Sequence, residues 1–288
     1  LSSIMILEPE IAVVLSVMMH VTWNLIARYQ SSAAMPLWWV LLTHLVILGP
    51  WGFWSLLTQV DWTLSFVLLL LVSASANVVY FMGLRQAYHH APVPLVYPLV
   101  RSSPLLIAIW SVLLLGETLG AWAWTGIIVS VVGLMILAFS SGSPSDKRAL
   151  PWAVVAMLGT SVYSLSDKAA VASLVNFGSI VGFISVGYLC SWLAMTLILY
   201  RSTGRWRPAT MISPVALLAG GLCIGLAYAL VVFAMKQMPS AVVVAYSNAG
   251  IIIASVISIL FFQERTAWKQ RVVAAVTILI GIVMIYQR

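Results

Sequence analysis

Charge is what this sequence lacks. Only 7% of its 288 residues are charged, and just seven are acids, against about 25% charged residues in soluble domains. Hydrophobic residues make up 62%, and no soluble core of this size could hide that much apolar surface. A soluble enzyme or soluble binding module is therefore excluded. The apolar runs are continuous rather than alternating, which excludes a transmembrane β-barrel. What remains is a polytopic, all-α membrane protein.

Other scarcities narrow the chemistry. The two cysteines, Cys190 and Cys223, lie inside apolar segments, where small buried hydrophobes are expected rather than a disulfide or a metal pair. His89-His90 has no further ligands near it in sequence, so no metal site is expected. There is no H-E-x-x-H, no G-x-S-x-G and no pair of membrane aspartates, so an intramembrane enzyme is not expected. A glycine-rich G-x-x-x-x-G-K loop is also missing, so ATP does not drive the protein directly and no cofactor is implied. The start, L-S-S-I-M-I-L-E-P-E, carries acids where a basic leader region would stand, and no cleavable signal peptide is expected.

What is present is a succession of apolar segments. Uncharged runs and breakers place ten of them, near 11–28, 35–57, 63–87, 93–115, 119–140, 150–173, 178–200, 212–236, 240–262 and from the Glu264–Trp268 turn to Tyr286. Each is long enough to cross a bilayer as a helix. Trp38, Trp39, Trp51, Trp54, Trp62, Trp122, Trp124 and Trp152 fall near segment ends, as interfacial anchors do. Gly126, Gly133, Gly220, Gly221 and Gly225 are expected to permit close helix packing.

A polar linker, 141–149, separates two halves that resemble each other. Glu117 follows W-S-V-L-L-L-G, and Glu264 follows S-V-I-S-I-L-F-F-Q, at an offset of 147 that also pairs Pro92 with Pro239 and Phe81 with Tyr228. Near the starts of the halves, Arg28 pairs with Lys168. Residues 1–140 and 150–288 thus read as two five-helix repeats. An odd number of crossings inverts the second against the first, and inverted repeats with a midplane site between them are a transporter architecture.

Basic residues set the orientation. Arg28, Arg85, Lys147, Arg148, Arg201, Arg205, Arg207, Arg265, Lys269 and Arg271 fall in the odd-numbered loops; Lys168, Lys236 and Arg288 fall on the other side. The net charge of +7 is therefore a topology signal rather than a nucleic-acid footprint, and the positive-inside rule puts both termini outside the cytoplasm. Glu117 and Glu264 follow tight turns and are expected to serve as caps or helix-dipole partners.

One cation does not fit the loops. Arg101 lies in V-P-L-V-Y-P-L-V-R-S-S-P, roughly 12 Å along a helix from Val93 and well inside a hydrocarbon core of ~30 Å. A guanidinium there costs at least ~2.5 kcal/mol unless it meets water, a partner or a ligand. Pro98 and Pro104 remove two backbone donors around it, leaving a kinked, locally polar helix. Either Arg101 receives a carboxylate, or it is held by backbone carbonyls or by Asp167.

Other polar residues inside segments join it as candidate substrate-binding groups. They are Tyr97 beside Arg101, His20, Trp23 and Asn24 in the first segment, Asn77 and Tyr80 in the third, Tyr163 and Ser164 in the sixth, and Tyr246 and Asn248 in the ninth. Each competes with a simpler role in helix packing, where such hydrogen bonds contribute ~0.6–2 kcal/mol.

The runs P-L-L-I-A-I-W-S-V-L-L-L-G-E-T at 104–118 and I-I-I-A-S-V-I-S-I-L-F-F-Q-E-R at 251–265, with the glycine-containing runs at 126–137 and 272–285, resemble the drug/metabolite transporter superfamily in its ten-helix, two-repeat EamA branch. Within it the chain is most similar to bacterial exporters of amino acids, aromatic ones among them. The resemblance implies a secondary transporter of the inner membrane, with a small carboxylate-bearing solute as partner alongside the lipid bilayer, and a monomer as a sufficient unit. The alternative it implies is a proton-coupled multidrug or cation exporter. The chain departs from its small multidrug relatives in having no acid in the first segment. It is also asymmetric, because Asn248 stands where Arg101 stands in the first half.

Overall fold

The computed structural model describes residues 8–28, 34–91, 93–140, 144–260 and 267–287; the side chains of 24–28, 93–94, 144–146 and 258–259 lie outside the description. Among the described residues every regular element is helical. The order is α1 (Pro9–Arg28), α2 (Pro36–Ile47), α3 (Gly49–Gln59), α4 (Leu64–His90), α5 (Val93–Val100), α6 (Pro104–Leu115), α7 (Ala121–Phe139), α8 (Leu150–Ala170), α9 (Phe177–Thr203), α10 (Pro214–Ala234), α11 (Ser240–Ser247), α12 (Ala249–Leu260) and α13 (Trp268–Tyr286).

Local chemistry sets the helix starts. Thr63 accepts from the Phe66 N–H, Ser213 from the Ala216 N–H, and Asn176 forms a capping box with Ser179, satisfying donors that the first turn leaves orphaned. Proline occupies the first turn of α2, α6, α8 and α10, where its missing N–H is harmless. Gly116 ends α6 at a φ of 67°, the left-handed conformation that a helix C-terminus tolerates best in glycine.

Three of the ten expected segments are broken in two. The second bends by 56° between α2 and α3. The fourth breaks at 101–103, where Pro104 cannot donate to the Val100 carbonyl; that oxygen accepts from the Ser103 N–H instead, at 3.4 Å. The ninth breaks at Asn248 without any proline, and its backbone tightens in the same way, Asn248 N–H donating to Ala245. Eight spans are long and apolar enough to cross a membrane, or nine when the bent α2–α3 pair is one crossing. The first expected crossing is α1, whose described apolar stretch is Pro9–Trp23.

The helices pair across the two halves of the chain: α1 on α10, α2 and α3 on α9, α4 on α8, α6 on α11 and α7 on α13. The last pair meets through bare backbone. A Cβ on Gly126 would lie 2.5 Å from the Gly281 carbonyl oxygen, and one on Gly281 would lie 2.6 Å from that of Gly126, so the two glycines let α7 and α13 touch as small residues do in bilayers. Between the pairs lies an interior built around Phe66, Phe183, Tyr188 and Leu41, with a second cluster around Ile107, Ile127 and Met235.

Outward faces are apolar. Leu68 and Leu71 on α4, Leu193 and Leu197 on α9, and Val276, Leu279 and Val283 on α13 are exposed, a surface suited to lipid rather than water. Trp51, Trp54, Trp62, Trp122 and Trp152 are exposed, as anchors would be, but Trp38 is not. Its indole N–H donates to Thr196 Oγ1 at 2.8 Å and its ring packs on Trp192. Trp38 joins α2 to α9 instead of reaching an interface.

Candidate functional site

The two broken helices meet at their breaks. Arg101 sits in the turn between α5 and α6, half-buried, and donates from Nη2 to both the carbonyl and the hydroxyl of Ser247, each at 3.0 Å. The neighbouring Asn248 returns the contact, its amide nitrogen donating to the Arg101 carbonyl at 3.0 Å. These residues stand 147 apart, the offset at which the two halves resemble each other in sequence, and the two breaks satisfy each other's freed backbone groups. Backbone that leaves a helix inside a membrane needs such partners. The contact leaves Arg101 Nε and Asn248 Oδ1 buried without a hydrogen-bond partner among the described residues.

Aromatic and polar groups surround this crossing. The Tyr97 ring lies 5.7 Å from the guanidinium carbon, within cation–π range. His20, Tyr80, Tyr88 and Tyr163 lie within electrostatic reach of Arg101. His20 Nδ1 is held by the Ser16 carbonyl at 2.9 Å and faces the Ser16 hydroxyl at 3.1 Å. Tyr246, on α11, is partly buried against the cluster that contains Val13 and Val17 of α1.

A second polar group lies on α8. Tyr80 meets Tyr163 edge-on, with centroids 5.6 Å apart, and Tyr163 meets Tyr228 of α10 at 5.3 Å. The Tyr228 hydroxyl donates to Asp167 Oδ2 at 2.6 Å and stands 3.5 Å from Ser164 Oγ. Ser73 of α4 donates to the other carboxylate oxygen, Oδ1. Asp167 is 1% exposed, so its carboxyl group is bound by hydroxyls from two other helices. It does not pair with Arg101, which settles on Ser247.

Two of the proposed site residues serve packing. Asn77 is buried, accepts from the Ser191 hydroxyl of α9 at 3.1 Å, and lies against Gly187, so it turns toward α9. Trp23 is buried in the largest hydrophobic cluster, its ring near Gly220. The side chain of Asn24 lies outside the described residues, as does that of Glu264. Tyr97, His20 and Asn248 belong to the Arg101 crossing and Tyr80, Tyr163 and Ser164 to the Asp167 group, with Tyr80 and Tyr163 within reach of both, while Tyr246 packs against the cluster of Val13 and Val17.

Sequence reasoning missed Ser73, Tyr228 and Ser247. Tyr228 carried a signal, since the 147-residue offset aligns it with Phe81 and it adds a hydroxyl there. A third polar cluster joins the helix ends. Glu117 pairs with Lys168 at 3.1 Å and accepts from the Ser240 N–H at 3.2 Å and the Ser240 hydroxyl at 2.9 Å. It therefore caps α11, a helix of the other half, rather than α7, which follows it in sequence. Lys168 also donates to the Met235 and Met238 carbonyls. Nearby, Lys236 donates to the Leu174 carbonyl at 2.6 Å, and burial lowers its ammonium from the ordinary lysine value.

Comparison with known proteins accords with this architecture. The EamA-like transporter family matches the chain at residues 8–139 and again at 147–287. No curated protein matches the chain. A solved chain described only as the crystal structure of a protein is similar with a TM-score of 0.71 at 17% identity, over 96% of this chain and 98% of that one; at that identity the likeness concerns the fold alone. Two matches that together span nearly the whole sequence decide the matter: this multi-pass membrane protein belongs to the EamA-like transporter family.

Proposed function

We propose that the protein is a secondary transporter that exports small carboxylate-bearing metabolites, amino acids and aromatic ones among them, across a bacterial inner membrane. In this reading ten crossings form two inverted five-helix repeats, 1–140 and 150–288, joined by the linker 141–149, with both termini periplasmic. The twofold family match and the pairing of helices between halves support it. Access alternates as one set of helices rocks against the other.

The observation that carries the substrate class is Arg101 at the crossing of the two broken helices. Its Nη2 is committed to Ser247, and its Nε is buried without a partner among the described residues. A carboxylate arriving there meets a guanidinium donor, with Tyr97, Tyr80 and Tyr163 offering ring surface and His20, Ser164, Tyr246 and Asn248 polar edges. Trp23 and Asn77 stand further from this role, being engaged in packing.

A proton-coupled exporter of cationic drugs is the second reading, and Asp167 favours it as a membrane-buried carboxyl group. Uptake of an amino-acid panel by proteoliposomes, with and without a pH gradient, separates the two. The carboxylate reading expects amino-acid flux that Arg101→Ala abolishes. Absence of flux for every amino acid would sink it.

A further inference from the structure

We infer that Asp167 is a proton-binding site whose occupancy controls the contact between α4, α8 and α10, and that the proton is a co-substrate of the transport cycle. The inference rests on the transport reading above. Asp167 is 1% exposed, and its two oxygens are each occupied by a hydroxyl donor, Ser73 from α4 and Tyr228 from α10. No cation faces it. Its titratable surroundings are Tyr163 on its own helix, Tyr188 on α9 and Tyr228 on α10, while the adjacent Lys168 turns away to Glu117 and the Met235 and Met238 carbonyls. A structural carboxylate at such depth ordinarily has a cationic partner. This one has only donors that a proton can rearrange.

The rearrangement follows from hydrogen-bond inventory. An ionised carboxylate accepts from both hydroxyls and ties three helices together. A carboxylic acid must donate once, so one of the two hydroxyls has to turn away or become the acceptor. Tyr228 has an alternative at hand, Ser164 Oγ at 3.5 Å. The Ser166 hydroxyl is already spent on the Leu69 carbonyl, which ties α8 to α4 independently of the charge. Proton binding therefore loosens the α10 side first. Tyr228 packs edge-on against Tyr163, and Tyr163 against Tyr80; both Tyr163 and Tyr80 are within electrostatic reach of Arg101. A change at Asp167 is thereby passed to the place where the carboxylate is proposed to bind, which is the differential contact that coupling requires. The proton is taken from water on one side and returned to water on the other.

The test reads the carboxyl group directly. Infrared difference spectra of the reconstituted protein, stepped from roughly pH 3 to 9 so that the ordinary carboxyl and histidine values fall inside the range, are expected to show a protonated-carboxyl stretch that titrates in the wild type and is missing in Asp167→Asn. Tyr228→Phe removes a donor to the ionised form and moves the midpoint to higher pH, so the assignment survives if the Asn variant does not fold. No titrating band, an unchanged band in Asp167→Asn, or a band that sodium displaces at fixed pH overturns the inference. In liposomes, a pH gradient should drive amino-acid accumulation by the wild type, and Asp167→Asn should lose that gradient-driven accumulation. Wild-type exchange indifferent to the gradient overturns proton coupling and leaves the transport reading intact. A titrating band without any amino-acid flux overturns the substrate reading and leaves the proton site standing.

Discussion

Replacing Glu117 tests whether the two halves of the chain are joined as the geometry indicates. Its carboxylate does three things at once: it caps the first turn of α11 through the Ser240 N–H and hydroxyl, places a negative charge at that helix N-terminus, and pairs with Lys168 at 3.1 Å. A lost cap costs ~1 kcal/mol, and the charge at a helix start contributes about 0.3–1 kcal/mol. The ion pair is 11% exposed at Glu117 and 20% at Lys168. It is drier than a surface pair of ~0–1 kcal/mol, and Lys168 retains two carbonyl acceptors if the glutamate goes. Together Glu117→Ala should destabilise by about 2–3 kcal/mol, which at ~2 °C per kcal/mol for a chain of this size lowers Tm by ~4–6 °C. Glu117→Gln keeps an acceptor for Ser240 and loses the charge, so it should fall roughly midway. The assay is thermal unfolding of the detergent-purified variants with Lys168→Met as the second arm of a cycle; the Glu117–Lys168 coupling should be ~1 kcal/mol. A Glu117→Ala shift smaller than ~1 °C, or a Gln variant no better than Ala, refutes the cross-half cap.

Three further outcomes follow from particular contacts. Gly281→Val should abolish the folded protein, measured as monodisperse yield, because its Cβ alone would stand 2.6 Å from both the Gly126 oxygen and the Ser130 nitrogen; the same substitution at Gly120, where a Cβ meets nothing within 4 Å, should leave the yield unchanged. Asn248→Ala removes the donor to the Arg101 carbonyl and should cost ~1–2 kcal/mol, read as a Tm lower by about 2–4 °C. Gly225→Ala should disrupt the α2–α10 contact, since the added methyl overlaps the His44 ring, and the separation should show as faster cysteine labelling at Cys223 of the same helix.

The helical membrane class and the break around Arg101 were legible because each rests on features that the chain states locally: unbroken apolar runs and a cation between prolines. What the chain could not state locally is how a polar group is satisfied. Pro104 announced the break after α5, but nothing of the kind announced the break at Asn248, where the ninth segment contains no proline. It breaks because Ser247 and Asn248 spend their side chains on backbone carbonyls, Ser247 Oγ on Val244 and Asn248 Nδ2 on Arg101, an alternative that competes with helix hydrogen bonds. The two breaks are then one feature seen from both halves: the proline-made gap supplies a free carbonyl and a guanidinium, and the proline-free gap supplies the amide and the hydroxyl that answer them. The sequence asymmetry between Arg101 and Asn248 is therefore complementarity rather than loss of a second site. The same logic explains Glu117, which looked like a cap for the helix that follows it and caps a helix 123 residues away. Among the described acids, the two drawn inside, Glu117 and Asp167, are placed by partners distant in sequence. Asp167 is one of the partners the sequence offers Arg101, but in the folded chain Asp167 takes the Ser73 and Tyr228 hydroxyls and Arg101 Nη2 takes Ser247. That leaves one cation and one acid, each inside the helical assembly and each without a counter-ion among the described residues, linked by the edge-on rings of Tyr80, Tyr163 and Tyr228.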